Sequence, residues 1–226
     1  MCQPQQDVSS IGQLRTAVAE ACHDLARSGL VIGPSGNVSA RAGELIAVTP
    51  TGARLSGLTA QQIAVVDLDG THLDGALAPT SELPLHLAVY RHFGAGAVVH
   101  THPPMATAVA CVADELPCIH YTQVALGGSV RVVPFATFGT DDLAAGVVEG
   151  LEGRTATLMA SHGAVTYGEN LEAAIDATEL LEWACGVYVH ACACGTPKVL
   201  GDDEQLALAE SFASYGQVRT GARRAD

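Results

Sequence analysis

The sequence predicts an α/β fold, one sheet covered by helices, in a single domain spanning residues 1–226. Three observations predict it. A chain of 226 residues can bury a substantial core, and no segment reads as a linker. Short apolar runs of strand length alternate with stretches of helical periodicity. No internal repeat or low-complexity segment calls for another architecture.

Taken in order, the chain opens with a polar tail. Ser9 or Ser10 then caps a helix whose apolar positions Ile11, Leu14, Val18, Ala21, Cys22 and Leu25 keep helical spacing, with Gly29 as its stop. Strands are expected near Val38 to Arg41 and Leu45 to Thr49, joined by a turn at Ala42-Gly43. Thr49-Pro50-Thr51-Gly52 reads as a second turn, Ile63 to Asp67 as a strand, and Asp69-Gly70 as a hairpin turn into Thr71 to Leu73. The first third is thus largely antiparallel.

From Thr80 onward helices and strands alternate. Thr80 or Ser81 caps a helix to about Phe93, with Pro84 in its first turn. Ala97 to Thr101 reads as a strand, Met105 to Val112 as a short helix and Val130 to Pro134 as a strand. Thr140 caps a helix from Asp141 to Leu151, and Thr155 to Met159 returns as a strand ending at Ser161-His162-Gly163. Asn170 caps a long helix to about Ala193, and a last helix spans roughly Asp203 to Tyr215.

Composition narrows the function classes. A formal charge of −13 argues against a nucleic-acid groove or an anionic membrane surface, which need clustered Lys and Arg. No charged start with an apolar run and no apolar span of membrane length is seen, so a cytoplasmic protein is expected. Seven cysteines lack any Cys-x-x-Cys and fit free thiols in a reducing compartment; Cys192 and Cys194 read as small, partly buried residues. The only lysine, Lys198, lies in a connector between two helices. A Schiff-base lysine needs a desolvated pocket, so lysine-dependent carbonyl chemistry is not expected.

The chemistry gathers around Ala97 to Pro104, where His100 and His102 lie two residues apart. Residues i and i+2 of a strand share a face, so the two imidazoles can bind one divalent metal, zinc most commonly. Alone, the pair is as readily two ordinary strand-end histidines. A catalytic zinc usually takes three protein ligands. His120 and His162 stand out as candidates for the third, and His162 is the better one because Gly163 allows close backbone approach. Glu82 begins the helix that leads into the histidine strand, where a carboxylate is more often a favourable partner of the helix dipole than a catalytic acid/base. His86, one turn on, is expected to support the site or to pack. Gly36-Asn37, Thr51-Gly52 and Thr80-Ser81 offer turn amides and hydroxyls of the kind that bind phosphate without lysine, although each pair taken singly reads as ordinary turn residues. Tyr121 reads as a buried aromatic.

Together, Gly36-Asn37-Val38-Ser39, Thr49-Pro50-Thr51-Gly52, Ser81-Glu82, His100-Thr101-His102 and Ser161-His162-Gly163 resemble the class II aldolase and adducin family in order and spacing. Ile119-His120-Tyr121, Gly127-Gly128, Phe135 to Thr140 and Ser214-Tyr215-Gly216 are similar to the L-fuculose-phosphate aldolase branch. The chain departs from that pattern at Pro34, Ser35 and Ser161.

The resemblance implies a three-layer α/β/α fold with a mostly antiparallel sheet, a homotetramer, and one Zn2+ or another divalent metal per subunit. It implies His100, His102 and His162 as metal ligands, with Glu82 touching the metal in the empty site and moving protons when substrate arrives. A phosphorylated sugar would sit on Gly36, Asn37, Thr51, Gly52, Thr80 and Ser81. Tyr121 would reach the aldehyde-side oxygen from a neighbouring subunit, and Tyr215 would close the site. The implied reaction is reversible cleavage of a ketose 1-phosphate, of the L-fuculose or 5-deoxypentulose type, to dihydroxyacetone phosphate and an aldehyde through a zinc-stabilised enediolate. The rivals are an epimerase, a decarboxylase or dehydratase of the same family, and a non-catalytic adducin-like interaction module. An epimerase asks for a further carboxylate, and residues 116–140 contain no Asp or Glu.

Overall fold

The computed structural model describes the backbone of residues 4–221 and the side chains of residues 11–212. Helix α1 (Pro4–Arg27) precedes four strands, β1 (Asn37–Ala42), β2 (Leu45–Val48), β3 (Ala64–Asp67) and β4 (His72–Asp74). Then follow α2 (Leu83–Phe93), β5 (Ala97–Thr101), α3 (Pro104–Ala110), β6 (Glu115–Leu116) and β7 (Val130–Val133). The chain ends with α4 (Asp141–Leu151), β8 (Ala156–Met159), β9 (Gly163–Gly168), α5 (Leu171–Cys194) and α6 (Asp202–Gly221).

The nine strands form one sheet in the order β4-β3-β2-β1-β5-β9-β8-β7-β6. Every neighbouring pair is antiparallel except β7 and β8. The three-layer α/β/α arrangement implied by the resemblance is therefore present. Alternation along β5 shows how the layers form. Val98 joins a cluster with Leu85, Val89, Leu143 and Val147 of α2 and α4, whereas Ala97 and Val99 join Val18, Cys22 and Leu25 of α1. A third cluster packs α3 and α5 over β8 through Val109, Leu158, Leu181 and Cys185. Each fully buried Val or Leu contributes roughly 1.5–3 kcal/mol.

Several boundaries differ from the sequence expectation. Helix α1 starts at Pro4, so Ser9 and Ser10 lie inside it; a proline preset for the first turn outcompetes the serines as a start. Glu82, not Thr80 or Ser81, is the cap residue of α2, because Thr80 and Ser81 belong to a turn closed by Leu83 N–H donating to the Thr80 carbonyl at 3.1 Å. Pro84 does sit in the first turn, and Thr140 and Asn170 do cap α4 and α5 by accepting from Leu143 and Ala173 N–H. Strand β9 was not expected. Its run Ala164-Val165-Thr166-Tyr167 is β-prone, but it lies between the Ser161-His162-Gly163 turn and a clear helix cap, where it resembles a connector. Cys192 and Cys194 are exposed, because the buried stripe of α5 ends at Cys185 and its last turns run past the sheet. Lys198 is exposed between α5 and α6 as expected. Among the described residues no helix is long and apolar enough to cross a membrane.

Candidate active site

Strand β5 lies between β1 and β9, with Asn37 paired to His100 and His100 paired to Val165. His100 follows Val98 in alternation and so faces the α2 side, where the start of α2 holds Glu82. The chain leaves β5 at Thr101, and His102 turns back beside His100 with ring centroids 4.7 Å apart. His162 arrives on the three-residue loop between β8 and β9, and its ring lies 4.9 Å from that of His100 and 5.1 Å from that of His102. Two backbone features make this meeting possible. Ser161 adopts a left-handed φ of 54°, which folds the loop tightly. A Cβ on Gly163 would come within 2.5 Å of the Thr101 carbonyl oxygen and 2.9 Å of His102 Cδ2, so only glycine lets β9 begin there.

The ligand atoms of His100, His102 and His162 all lie within 4.8 Å of one another. His100 Nδ1 lies 2.9 Å from the Ala164 carbonyl, which can only accept, so Nδ1 carries the hydrogen. The neutral ring therefore turns a lone pair at Nε2 inward. His102 Nε2 stands 2.9 Å from that atom and Glu82 Oε2 stands 3.1 Å from it. Glu82 Oε1 is buried with no hydrogen-bond partner, its nearest cation-capable neighbour being His162 Nε2 at 3.5 Å. Converging electron-pair donors of this kind need a positive charge among them. Three imidazoles with one carboxylate are a donor set that suits zinc.

The electrostatics agree. Burial by itself would raise the Glu82 carboxyl, but the hydrogen bond and charge of His100, then the Asn37 amide and His162, hold it at about 2. Burial, then the charge of His100, pushes His102 down to about 4 and also lowers His162, with Glu82 opposing in both. Neutral imidazole and ionised carboxylate are the metal-binding forms.

The group opens into a cavity of about 340 Å3 lined by Pro34, Ser35, Gly36, Asn37, Pro50, Thr51, Gly52, Thr80, Ser81, Glu82, His102, Phe138 and His162. All six residues expected to hold a phosphate are therefore brought to one wall, beside Glu82. Gly36, with a φ of 97°, lies against the His100 carbonyl, where a Cβ would approach to 2.9 Å. Thr80 N–H donates to the Thr49 carbonyl at 3.0 Å, and Thr51 N–H to that of Ala78 at 3.1 Å, which ties the two cradle turns together. Among the described residues no lysine or arginine lines the cavity, so hydroxyls and amides are what it presents to an anion.

One expectation is met differently. Tyr121 is 50% exposed rather than buried, because it starts a 3-10 turn (Tyr121–Leu126) on the outer surface. It lines a separate cavity of about 410 Å3 with Leu208, Ser211 and Phe212. His120 is not in the metal group; it caps that 3-10 turn and meets Trp183 at 4.8 Å. The side chain of Tyr215 lies outside the described residues. Phe138 was missed: it lines the cavity, and the next residue, Gly139, packs on the Ser81 carbonyl.

Residues 16–189 match the family described as "Class II Aldolase and Adducin N-terminal domain". The chain is 37% identical over 193 residues to the 5-deoxy-D-ribulose 1-phosphate aldolase of Bacillus thuringiensis serovar kurstaki, covering 84% of this chain and 91% of that protein. It is 37% identical over 207 residues to the L-fuculose phosphate aldolase of Escherichia coli K12, covering 90% and 96%. A solved L-fuculose 1-phosphate aldolase structure superposes with a TM-score of 0.86 at 33% identity, covering 89% of this chain and 96% of that one.

Proposed function

The chain belongs to the class II aldolase and adducin family, and from that premise we propose that it is a zinc-dependent aldolase. It cleaves a ketose 1-phosphate of the L-fuculose or 5-deoxypentulose type reversibly to dihydroxyacetone phosphate and an aldehyde. The observation that carries the reading is the placement of Glu82, within 3.1–3.5 Å of His100 and His162 and on the wall of a lysine-free phosphate-sized cavity.

His100, His102 and His162 hold the metal, with Glu82 beside them. When bound, zinc supplies a Lewis acid that draws electrons from the substrate carbonyl and lowers the barrier to forming a carbanion next to it. The phosphate lies on Gly36, Asn37, Thr51, Gly52, Thr80 and Ser81, where amide and hydroxyl donors fix the three-carbon half of the sugar. In the condensing direction Glu82 takes a proton from the carbon beside the carbonyl, and the electron pair left there attacks the aldehyde carbon. Tyr121 of a neighbouring subunit gives its phenolic proton to the aldehyde oxygen as the carbon–carbon bond forms. Cleavage runs the same steps backward, with Tyr121 taking the hydroxyl proton and Glu82 returning one to carbon. Tyr215 is the residue that closes the site.

The enzyme works as a homotetramer with sites at subunit interfaces, in the cytoplasm, on a phosphorylated sugar and without nucleic acid or membrane. Exposed aromatics at Tyr121, Trp183 and Phe212 support the interface. Glu82 is the carboxylate among the described residues that line the cavity, which favours an aldolase over an epimerase needing a second one. Release of dihydroxyacetone phosphate from a panel of ketose 1-phosphates, with and without a chelator, tests the proposal. Cleavage of at least one, abolished by the chelator and restored by zinc, is expected. Cleavage that survives chelation rejects the mechanism.

A further inference from the structure

Helix α2 carries two polar side chains one turn apart on its buried face, His86 and Tyr90, which are 0% and 1% exposed. Neither lines the cavity. Ser39 of β1, facing them, is also fully buried. Burying an imidazole, a phenol and a hydroxyl is costly unless each is bonded, and a purely structural helix face would be apolar. Here the groups form one chain that ends on the catalytic carboxylate. Tyr90 OH lies 2.7 Å from Ser39 Oγ, and Ser39 Oγ lies 2.7 Å from His86 Nδ1. His86 Nε2 lies 2.5 Å from Asn37 Oδ1, and Asn37 Nδ2 lies 2.9 Å from Glu82 Oε2.

The direction of every bond follows from its end. Ionised Glu82 can only accept, so the Asn37 group facing it is the NH2. The Asn37 carbonyl oxygen then faces His86 and can only accept, so His86 Nε2 carries the hydrogen. Burial, with the charge of His100 adding to it and Glu82 opposing, pushes His86 down to about 3, so the ring is neutral and Nδ1 is bare. Nδ1 accepts from the Ser39 hydroxyl, which in turn accepts from Tyr90. The opposite tautomer would flip the amide and set Asn37 Oδ1 against the carboxylate.

We infer that Ser39, His86 and Tyr90 are positioning residues whose one-way hydrogen-bond chain fixes the Asn37 amide and thereby anchors Glu82 for proton transfer. Oε2 is held by Asn37 and His100, while Oε1 has no hydrogen-bond partner and is the oxygen that carries the proton. The second N–H of the Asn37 amide stays available to an anion in the cavity that Asn37 lines. One side chain thus links the base to the phosphate cradle.

The catalytic half of this inference rests on the aldolase reading, whereas the bond direction does not, and the tests separate them. In full-length, zinc-loaded protein with 15N-labelled histidine, long-range proton–nitrogen spectra report the His86 tautomer, assigned through its own backbone. A pyrrole-type Nε2 and a pyridine-type Nδ1 at neutral pH are expected. The Nδ1–H tautomer, or an imidazolium, overturns the chain. Ser39→Ala should lower kcat roughly 10- to 100-fold, the usual loss for a group that orients an active-site ligand. Its KM and bound zinc should stay within about threefold, and Ser39→Thr should regain most of the loss by restoring the hydroxyl. A Ser39→Ala protein with native kcat overturns the positioning role. If native protein cleaves no ketose 1-phosphate, the aldolase reading fails and the tautomer still decides the chain.

Discussion

Around the start of α2, Asn37, Glu82, His86 and His100 are buried and bonded to one another within one chain. Where the 3-10 turn, α5 and α6 meet, an aromatic edge is open: Tyr121, Trp183 and Phe212 are 50%, 47% and 42% exposed, and Tyr121 stacks on Phe212 at 6.0 Å. The first region completes its chemistry by itself. The second carries large apolar side chains at solvent, the composition of a contact surface. The candidate base and metal ligands need sub-ångström placement, which rigid strands and a helix start provide; under the proposed function, Tyr121 need only be docked.

The sharpest way to break this comparison is to remove each region's key group. Chelation is expected to reduce cleavage to background, with return of activity on adding zinc, followed by dihydroxyacetone phosphate release. Glu82→Gln should lose about 10³-fold in kcat while still folding, within the range for a lost acid/base. Chelation with no loss would show that the buried histidine group is not where the chemistry happens.

Tyr121→Phe should cost about 10²-fold in kcat with zinc content unchanged, since only the proton donor is gone. Mixing Glu82→Gln chains with Tyr121→Phe chains should restore measurable activity, because some mixed sites then hold both native residues. No recovery after subunit exchange would place both groups within one chain's site.

A smaller effect is expected at the loop that brings His162 in. Gly163→Ala forces a Cβ against the Thr101 carbonyl and the His102 ring, so zinc affinity measured by competitive chelation should weaken about tenfold. The smallest is a stability change with pH in metal-free protein. His86 and His102 titrate near 6.5 when unfolded and at about 3 and about 4 when folded. Below about pH 6.5 the unfolded chain binds protons that the folded chain refuses, so stability falls with falling pH and levels off only below the folded values. Thermal scans from pH 7 to 4 should show a declining Tm, and a flat Tm would mean these rings are not held neutral.

Much of this site was legible in the sequence because its residues announce themselves by type and local spacing. His100 and His102 sit two apart on an apolar strand, and Glu82 opens the helix that feeds it. The turn residues that line the cavity were legible because Gly-Asn, Thr-Gly and Thr-Ser pairs carry turn geometry and donors together. Phe138 was not, since nothing local says that Gly139 packs on the Ser81 carbonyl. Tyr121 was misplaced for the opposite reason: an aromatic in a mostly apolar stretch looks like core, and exposure is a property of the surface around it. His86 could be assigned a supporting place but no partner, because Ser39 and Asn37 lie 47 and 49 residues away.

The sequence by itself determined the types of most elements, the acidic lysine-poor surroundings and the identity of the metal-binding and acid/base candidates. These depend on periodicity, capping and side-chain chemistry, all of which are local. Only the tertiary structure decided that β9 threads beside β5 and delivers His162. It also decided that His102, His162 and Glu82 share one cavity with the turn residues Gly36, Asn37, Thr51, Gly52, Thr80 and Ser81, and that Tyr121 lines another. Those facts depend on strand order and on which backbones approach closely, and a long-range pairing leaves no mark in the spacing of neighbouring residues.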